Sequence, residues 1–238
     1  MRRTGMRSNI QKITALALSL AAILLLASCK TEEPQTLPSP TPFVPNIDAF
    51  TVGTIDDTGY ASAFFGFGFR LPEGWLYYPR SDIDNLNGIK AKETGSDEYR
   101  KELIDQLKKG NSLYEYFTGN DQNGESITIY VKDYTNQPDL PPMEVSVLDD
   151  CLEWLQDANM DQQDDIKDLS LDVVELLGVE HPIFRYDDIV GGYGCRGALL
   201  AIKQGSTFAL IKLSGVDDDS INTLLNGYYF VSHDAQVH

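Results

Sequence analysis

The chain has 238 residues, of which 36 are acidic and 19 are Lys or Arg, and its formal net charge is −17. With only three Cys and three His, it is neither a disulfide-dense miniprotein nor a His/Cys-rich metal cluster. The acidic balance also excludes a nucleic-acid binder with a basic face. Residues 1–28 hold four basic and no acidic side chains, so their removal leaves 36 acids against 15 bases, a net charge of −21.

The first segment is predicted to be a targeting signal. A basic stretch precedes the uncharged, mostly apolar run Ile13–Leu26, which would form a helix of about 21 Å. A bilayer core is about 30 Å thick, so this run is short for a permanent span and is typical of a secretory signal. Arg2-Arg3 lacks the rest of a twin-arginine pattern, which favours ordinary Sec export.

The end of the apolar run is Leu26-Ala27-Ser28-Cys29, which resembles the lipobox of bacterial lipoproteins. The resemblance implies cleavage between Ser28 and Cys29 and a diacylglyceryl group on the Cys29 thiol. Cys29 would then be a membrane anchor and not a catalytic residue, and the protein would sit on the extracytoplasmic face of the cell membrane. An ordinary cleaved signal with a chance cysteine remains the alternative.

Residues 29–50 are predicted to form a flexible tether. Five of the eleven prolines lie here, at positions 34, 38, 40, 42 and 45, among Thr, Ser, Glu and Gln. Such a composition buries no core and favours extended polyproline conformations, so the segment could reach about 40 Å. It reads as a spacer, with a proline-rich ligand for another domain as the alternative.

Residues 51–231 are predicted to form one domain, followed by a tail at 232–238. The predicted elements, in chain order, are a strand Tyr60–Leu71, a turn Pro72-Glu73-Gly74, a strand Trp75–Tyr78, a helix Ser96–Lys109, a hairpin of Leu113–Thr118 and Ser126–Tyr134, a main helix Val147–Asn159, strands Leu169–Leu177, Val179–Asp187, Cys195–Lys203 and Thr207–Ser214, and a closing helix from Asp217 to Gly227. Strands joined as hairpins predict an α+β domain with a mainly antiparallel sheet flanked by helices.

Local signals fix several of these elements. Ser96 can cap the first helix, whose apolar face is Tyr99, Leu103, Ile104 and Leu107, and Gly110 can end it. Ser146 and Asp149 approximate a capping box for the main helix, whose apolar face is Leu148, Cys151, Leu152, Leu155 and Ala158. Gly178 and Gln204-Gly205 are predicted turns.

The order of these elements, with the motif Leu71-Pro72-Glu73-Gly74-Trp75, resembles the PsbP/Mog1-like α/β/α sandwich and Gram-positive surface lipoproteins built on it. Characterised relatives are extrinsic photosystem subunits and a regulator of a small GTPase, which act by binding other proteins. The resemblance implies a non-catalytic binding scaffold in general, and it carries over no binding residue.

Catalytic and metal-binding motifs are missing from the sequence, and no cofactor or metal is predicted. His181 is the only histidine within the domain and reads as a loop or strand residue. Gly191-Gly192-Tyr193-Gly194 could approach an anion, but a strand follows it, so an inter-strand turn is favoured. Asp217-Asp218-Asp219 could offer oxygens to Ca²⁺, yet helix capping explains these residues without a metal.

Two groups of side chains remain as candidates. Cys151 and Cys195 are the only thiols in the exported body; a disulfide and two separate buried thiols are both open, with the thiols as the default. Tyr77, Tyr78, Tyr228 and Tyr229 form adjacent pairs that point to opposite faces of a strand, so part of this set could bind a glycan or a partner protein.

Two functions follow from these observations. The first, which we favour, is a membrane-anchored, non-catalytic binding or assembly module for a protein of the envelope or an exported complex, with its charge favouring basic partners or cations. The second is a glycan- or small-ligand-binding protein or hydrolase that uses Asp/Glu pairs in a cleft, one of them with a raised pKa.

The lipid anchor predicts the effect of Cys29→Ala. The wild-type protein is expected in the membrane fraction, with a mass increased by the lipid at its first residue. The variant lacks the acylated sulfur, so we expect it to lose this mass and to leave the membrane fraction after a salt wash. Wild-type protein found unacylated in the medium would contradict the prediction, and Cys195→Ala serves as the control that keeps the anchor.

Overall fold

The computed structural model describes residues 46–90, 93–120, 124–136, 144–150, 166–190 and 193–233. The predicted signal, Cys29 and most of the tether lie outside these ranges, as do Cys151, the second half of the predicted main helix and residues 234–238. Within the described ranges, no helix is both long and apolar enough to cross a membrane.

Eleven strands and four helices are described. The strands are β1 Thr54–Asp56, β2 Gly59–Ser62, β3 Phe67–Arg70, β4 Leu76–Tyr77, β5 Leu113–Gly119, β6 Ser126–Asp133, β7 Lys167–Leu176, β8 Val179–Val190, β9 Tyr193–Gln204, β10 Thr207–Gly215 and β11 Tyr228–Phe230. The helices are α1 Arg80–Leu86, α2 Asp97–Lys108, α3 at residues 144–150 and α4 Asp218–Leu225, and a 3₁₀ turn covers Ile47–Ala49.

Two antiparallel sheets are built from these strands. The larger has seven strands in the order β4-β5-β6-β10-β9-β8-β7, and the smaller has four in the order β1-β2-β3-β11. Every paired strand runs antiparallel to its neighbour. The predicted α+β class with a mainly antiparallel sheet is therefore confirmed.

Both faces of the seven-stranded sheet are buried along its central strands. On the first face, alternate residues such as Ile127, Ile129 and Val131 pack against the smaller sheet, α2 and α4. The second face carries the residues between them, and it packs against Val147 and Leu148 of α3; its members include Tyr130, Leu199, Phe208 and Leu210. Because successive strand residues point to opposite faces, the central strands are apolar at almost every position, and helices flank the sheet on both sides.

The predicted caps of the first and the closing helix are confirmed. The Ser96 hydroxyl accepts the Tyr99 backbone N–H at 3.2 Å, and Gly110 has a φ of +85° just beyond α2. The four predicted apolar residues of α2 are buried. Asp217 caps α4 by accepting the Ser220 backbone N–H at 2.8 Å, so the closing helix also begins as predicted.

The single strand predicted at Tyr60–Leu71 is wrong, because these residues form the hairpin β2–β3. The chain turns at residues 63–66, where the Gly66 N–H donates to the Ser62 carbonyl at 2.9 Å and Gly66 has a φ of +75°. Phe64 and Phe65 lie in this turn and are both buried. The alternation of apolar residues correctly indicated strand structure at β3. It did not reveal the turn, because residues 63–66 include none of the polar residues that usually mark one.

Three further boundaries differ from the prediction. Helix α3 already includes residue 144, so Ser146 lies inside it and is not its cap. Helix α1 was not predicted, since Pro79 precedes it without a side-chain cap. The packed part of the chain begins before residue 51: Ile47 and Phe50 are buried, and the Arg100 guanidinium donates to the Phe50 carbonyl.

Asp150 fastens α3 to the second face of the sheet. Its carboxylate accepts the Lys132 ammonium and the Tyr134 hydroxyl, each at 2.7 Å. Partial burial raises the pKa of Asp150, but these two hydrogen bonds and the Lys132 charge outweigh burial and hold the pKa below its ordinary value of 3.8. This contact therefore stabilises the fold above about pH 3.8 and weakens as pH falls further.

We expect Asp150→Asn to lower the free energy of unfolding by about 1 kcal/mol at pH 7, because a charge-assisted contact is lost from a partly exposed site. At pH 3, below the ordinary carboxyl pKa of 3.8, the unfolded wild-type chain takes up a proton at Asp150, so the difference from the variant should shrink. Urea unfolding at both pH values measures this. The exposed neighbour Asp149→Asn is the control, and an equal difference at both pH values would contradict the assignment.

Candidate interaction surface

A buried ion pair joins Arg80 of α1 to Glu115 of β5. A β-bulge between Tyr114 and Tyr116 places Glu115 on the inner side of β5, where it is 2% exposed. Its carboxylate accepts the Gly53 backbone N–H and lies 3.4 Å from the Arg80 guanidinium, which also donates to the Gly53 carbonyl at 2.9 Å. The pair thereby ties the segment before β1 and helix α1 to β5.

Carboxyl groups with raised pKa values are found in this region. Desolvation raises the pKa of Glu115 even though the Arg80 charge opposes it, and partial burial raises that of Asp84, which accepts the Tyr99 hydroxyl at 2.7 Å. Neither carboxyl lines a described pocket, and both are occupied by neighbouring donors. Their arrangement joins α1, α2 and β5 and offers no described opening for a substrate.

The largest described pocket, of about 640 Å³, lies beside the start of α4. Arg196 donates there to Asp187 at 2.8 Å and to Asp218 at 3.0 Å, and Asp218 also accepts from Arg185. The hydrogen bond from Arg196 lowers the pKa of Asp218. A general acid at this place would need a raised pKa, and the pKa of Asp218 is shifted in the opposite direction.

A second pocket of about 350 Å³ lies on the other side of the same helix start and is lined by Trp75, Glu125, Asp217 and Asp219 among others. The Ser220 backbone N–H lowers the pKa of Asp217, which is occupied in capping the helix. Among the described residues, no group of three or more His, Cys, Asp or Glu side chains is placed to hold a metal ion.

The sequence-predicted site residues do not come together in one place. Cys195 is half-buried and forms no disulfide with a described residue, and Cys151 lies outside the described ranges. His181 is buried in β8, with its Nδ1 3.4 Å from Glu144 Oε1. Gly194 and Cys195 belong to β9, so the glycine-rich stretch connects two antiparallel strands, as the inter-strand turn interpretation requires.

The four tyrosines have different surroundings. Tyr228 is buried against Phe67 and Phe69, and Tyr229 is half-buried beneath Arg70, with its hydroxyl donating to the Tyr60 carbonyl. Tyr77 is half-buried beside the core, in the other sheet. Of the four, Tyr78 is the exposed one, at 46%, and its ring is tilted by 53° against that of Phe117. A tyrosine surface therefore stays a prediction centred on Tyr78.

The largest group of exposed apolar side chains in the described ranges lies on the hairpin of β7 and β8. We call it the hairpin patch: it comprises Leu169, Leu171, Val173, Leu177 and Val179. Val173 is 67% exposed, Val179 is 56% exposed and Leu171 is 52% exposed. Isolated exposed apolar residues are normal, but alternate exposed residues such as Leu171 and Val173 on one strand indicate a surface that contacts something. Val179 pairs with Leu176 and lies on the other face of the hairpin.

The position of β7 in the sheet makes this patch accessible. β7 is the edge strand, with β8 as its one described neighbour. Leu171 pairs with Phe184, and Val173 pairs with Pro182, so both side chains lie on the second face of the sheet. A long edge strand with exposed apolar residues invites pairing with another chain, and proteins usually shorten, charge or cover such edges.

The tip of the hairpin is strained in a way that favours the same interpretation. Leu177 has a φ of 57° and Gly178 a φ of 79°, as a two-residue type I′ turn requires. Asn or Asp usually occupies the first of these positions, because a left-handed conformation costs a residue such as Leu about 1–2 kcal/mol. An exposed leucine at this position conflicts with the local turn preference, and such conflicts concentrate at functional sites.

Comparisons with known proteins concern the fold alone. No protein-family model and no curated protein matches the sequence. Among solved structures, the chain is similar to the cyanobacterial PsbP protein CyanoP from Synechocystis sp. PCC 6803, at 12% identity and a TM-score of 0.44, over 76% of this chain and 98% of that chain. It is also similar to LpqN, described as involved in cell envelope biogenesis of Mycobacterium tuberculosis, at 11% identity and a TM-score of 0.34, over 69% of this chain and 83% of that chain.

We expect Leu177→Asn to raise the free energy of unfolding by about 1 kcal/mol, because Asn accepts the left-handed conformation at lower cost. Leu177→Ala is the matched control, since it removes the same exposed side chain but keeps the unfavourable backbone geometry. Thermal and urea unfolding compare the three proteins. If the Asn variant is no more stable than the Ala variant, the turn is not strained as described.

Proposed function

We propose that this protein is an extracytoplasmic, lipid-anchored and non-catalytic binding module, which uses the hairpin patch to bind a protein partner. The observation that supports this most directly is the exposure of Leu171 and Val173 on an edge strand of a sheet that is otherwise apolar and covered. A folded domain gains nothing by keeping these side chains in water, whereas a partner that covers them gains the free energy of their burial.

The chemistry of the pockets supports binding over catalysis. Arg196 and Arg185 neutralise Asp218 in the larger pocket, and Asp217 of the smaller pocket caps a helix. A hydrolase with paired carboxylates would need one of them to hold a proton near neutral pH, which calls for a raised pKa. The carboxyls with raised pKa values, Glu115 and Asp84, are instead engaged in joining structural elements.

The net charge and the anchor define where such a partner would be met. Cys29 would hold the protein on the outer face of the membrane, and the proline-rich tether would allow the domain to stand off by about 40 Å. The charge of −21 after signal removal disfavours close approach to anionic lipid and wall polymers and favours basic proteins. In this arrangement the domain would present its hairpin to a partner outside the membrane.

A site-specific photo-crosslinking experiment on intact cells tests this function. A photoreactive amino acid replaces Val173 in one variant and Leu86 in the other. Leu86 is also apolar and exposed, at 53%, but lies on α1, away from the patch. We expect a discrete crosslinked protein from position 173 that is absent from position 86.

Leu171→Thr, placed beside the probe at position 173, is expected to reduce this crosslink at least about fivefold, because the contact loses apolar area while the strand keeps its propensity. Leu86→Thr should leave it unchanged. Equal crosslinking from both positions, or a crosslink that is insensitive to Leu171→Thr, would contradict the proposed function.

A further inference from the structure

We propose that the partner binds by β-strand addition: an extended segment of the partner pairs with the outer edge of β7 at Leu171, Val173 and Glu175, and it carries apolar residues opposite Leu171 and Val173 and Lys or Arg opposite Asp172 and Glu175. This inference rests on the proposed binding function and specifies its geometry and the chemistry of the partner.

The hairpin turn determines which main-chain groups of β7 face outward. In a two-residue type I′ hairpin, the residues that flank the turn, Leu176 and Val179, form a hydrogen-bonded pair. Pairs then alternate along the antiparallel ladder, so Leu171, Val173 and Glu175 are non-hydrogen-bonded to β8 and direct their N–H and C=O groups away from it.

The position of Pro182 agrees with this alternation of hydrogen-bonded and non-hydrogen-bonded pairs. It lies opposite Val173 and has no N–H to donate, as a non-hydrogen-bonded position toward β7 permits. On its other side, the described pairing of β8 with β9 begins one residue later, at the pair of Ile183 and Leu200. The ladder and the turn thus assign the same three residues of β7 to the open edge.

The open edge has a defined length. Toward its start, β7 contains a bulge between Lys167 and Ser170, and Asp168 has a φ of 48°, so the strand is irregular there. A bulge prevents pairing with an incoming strand. From Ser170 to Leu176 the register is regular and contains no proline. A partner strand of about seven residues fits this part of the edge.

The side chains on the second face specify the partner's residues. Leu171, Val173 and Glu175 form one row there, and Glu175 lies directly opposite Glu180 on β8, so two exposed carboxylates face each other. Like charges directly opposite are destabilising in a sheet. An incoming Lys or Arg beside Glu175 would relieve this repulsion, while apolar residues would cover Leu171 and Val173.

The opposite side of the same strand adds to this preference. Asp172 is about half exposed and lies 3.8 Å from the Arg185 guanidinium, so its charge is only partly matched. From Lys167 to Glu180 the hairpin holds four acidic side chains and one Lys, the acids being Asp168, Asp172, Glu175 and Glu180. Charge complementarity therefore favours a basic segment.

A second copy of this chain matches the edge poorly. A two-fold axis at Val173 places Glu175 against Leu171, and an axis at Asp172 places two Asp172 side chains against each other. An axis at Leu171 requires pairing through the bulge at Leu169. The protein's own tether carries five prolines, which lack the N–H groups that a paired strand must donate.

A peptide assay tests the proposal with the mature protein. The probe is a blocked seven-residue peptide, Thr-Lys-Thr-Val-Lys-Val-Thr. In antiparallel register with residues 170–176, it places valines opposite Leu171 and Val173 and lysines opposite Asp172 and Glu175. It is compared with a peptide that has glutamate in place of lysine, and with one whose valines are N-methylated. We expect the basic peptide to bind, and we expect the acidic and N-methylated peptides to bind at least about tenfold more weakly, because they lose charge complementarity and main-chain hydrogen bonds respectively.

Hydrogen exchange locates the binding mode. The amides of Leu171, Val173 and Glu175 should exchange rapidly in the free protein and become at least about tenfold slower with the basic peptide bound, since only these N–H groups gain acceptors. Val173→Pro removes one outward N–H without removing a bond to β8 and should abolish binding. Val173→Thr keeps the N–H, so its affinity for the basic peptide should be at least about one-third of the wild-type affinity.

Each outcome decides the inference separately from the proposed function. Three results would each overturn strand addition: equal losses of affinity in Val173→Pro and Val173→Thr, an N-methylated peptide that binds as tightly as the basic one, or amides that stay unprotected. The crosslink from position 173 would still support the proposed binding function. Equal binding of the acidic peptide would overturn the basic chemistry. Protection of the three amides in the protein alone, with a dimeric mass, would identify a second copy as the occupant. Circular dichroism verifies that Val173→Pro folds, and the N-methylated peptide tests the same bonds on unchanged protein.

Discussion

The seven-stranded sheet has to be covered on both faces, and most of the architecture follows from this requirement. Strands β6, β10 and β9 are apolar at consecutive positions, so neither face can meet water. The smaller sheet, α2 and α4 cover the first face, and α3 packs on the second. Asp150, with Lys132 and Tyr134, adds a polar fastening to that second contact, which is otherwise made by Val147 and Leu148.

The two edges of this sheet are protected to very different degrees. At one edge, β4 is two residues long, and the adjacent β5 is interrupted by the bulge at Glu115. The Asn87 side chain there exchanges two hydrogen bonds with the Tyr114 backbone, in the manner of a neighbouring strand. At the other edge, β7 is ten residues long and bears exposed leucine and valine. The short strand, the bulge and the Asn87 hydrogen bonds protect the first edge, and no such feature is described at β7 from Ser170 to Leu176. We infer from this contrast that the β7 edge is available for pairing.

The buried Arg80–Glu115 pair illustrates the cost of closing the first edge. Desolvation raises the pKa of Glu115 despite the neighbouring guanidinium, so burial of the pair costs free energy. The pair in turn holds α1 and the chain before β1 in place. No comparable device is described at β7. Leu171, Val173 and Glu175 form one exposed row there, which suits an incoming strand with apolar and basic residues better than it suits water.

Periodicity and capping residues determined much of this fold from the sequence. The caps Ser96 and Asp217, the hairpin of β5 and β6 and the four strands β7–β10 were all predictable, because each depends on neighbouring residues and on alternation along a strand. Leu169, Leu171 and Val173 already alternate in the sequence, so their common face could be predicted as well. Their exposure could not, since alternation looks the same on a covered strand and on an open edge.

Contacts between residues far apart in the chain decided the remainder. Glu115 is buried because Arg80 and Gly53 meet it across more than 30 residues in each case, and no local pattern announces such a pair. The apolar turn at Phe64 and Phe65 forms because a core surrounds it, not because of turn residues. Likewise, strand order alone makes β7 an edge: the sequence determined that this segment is a strand, and only the tertiary structure decided that β8 is its one neighbour among the described strands.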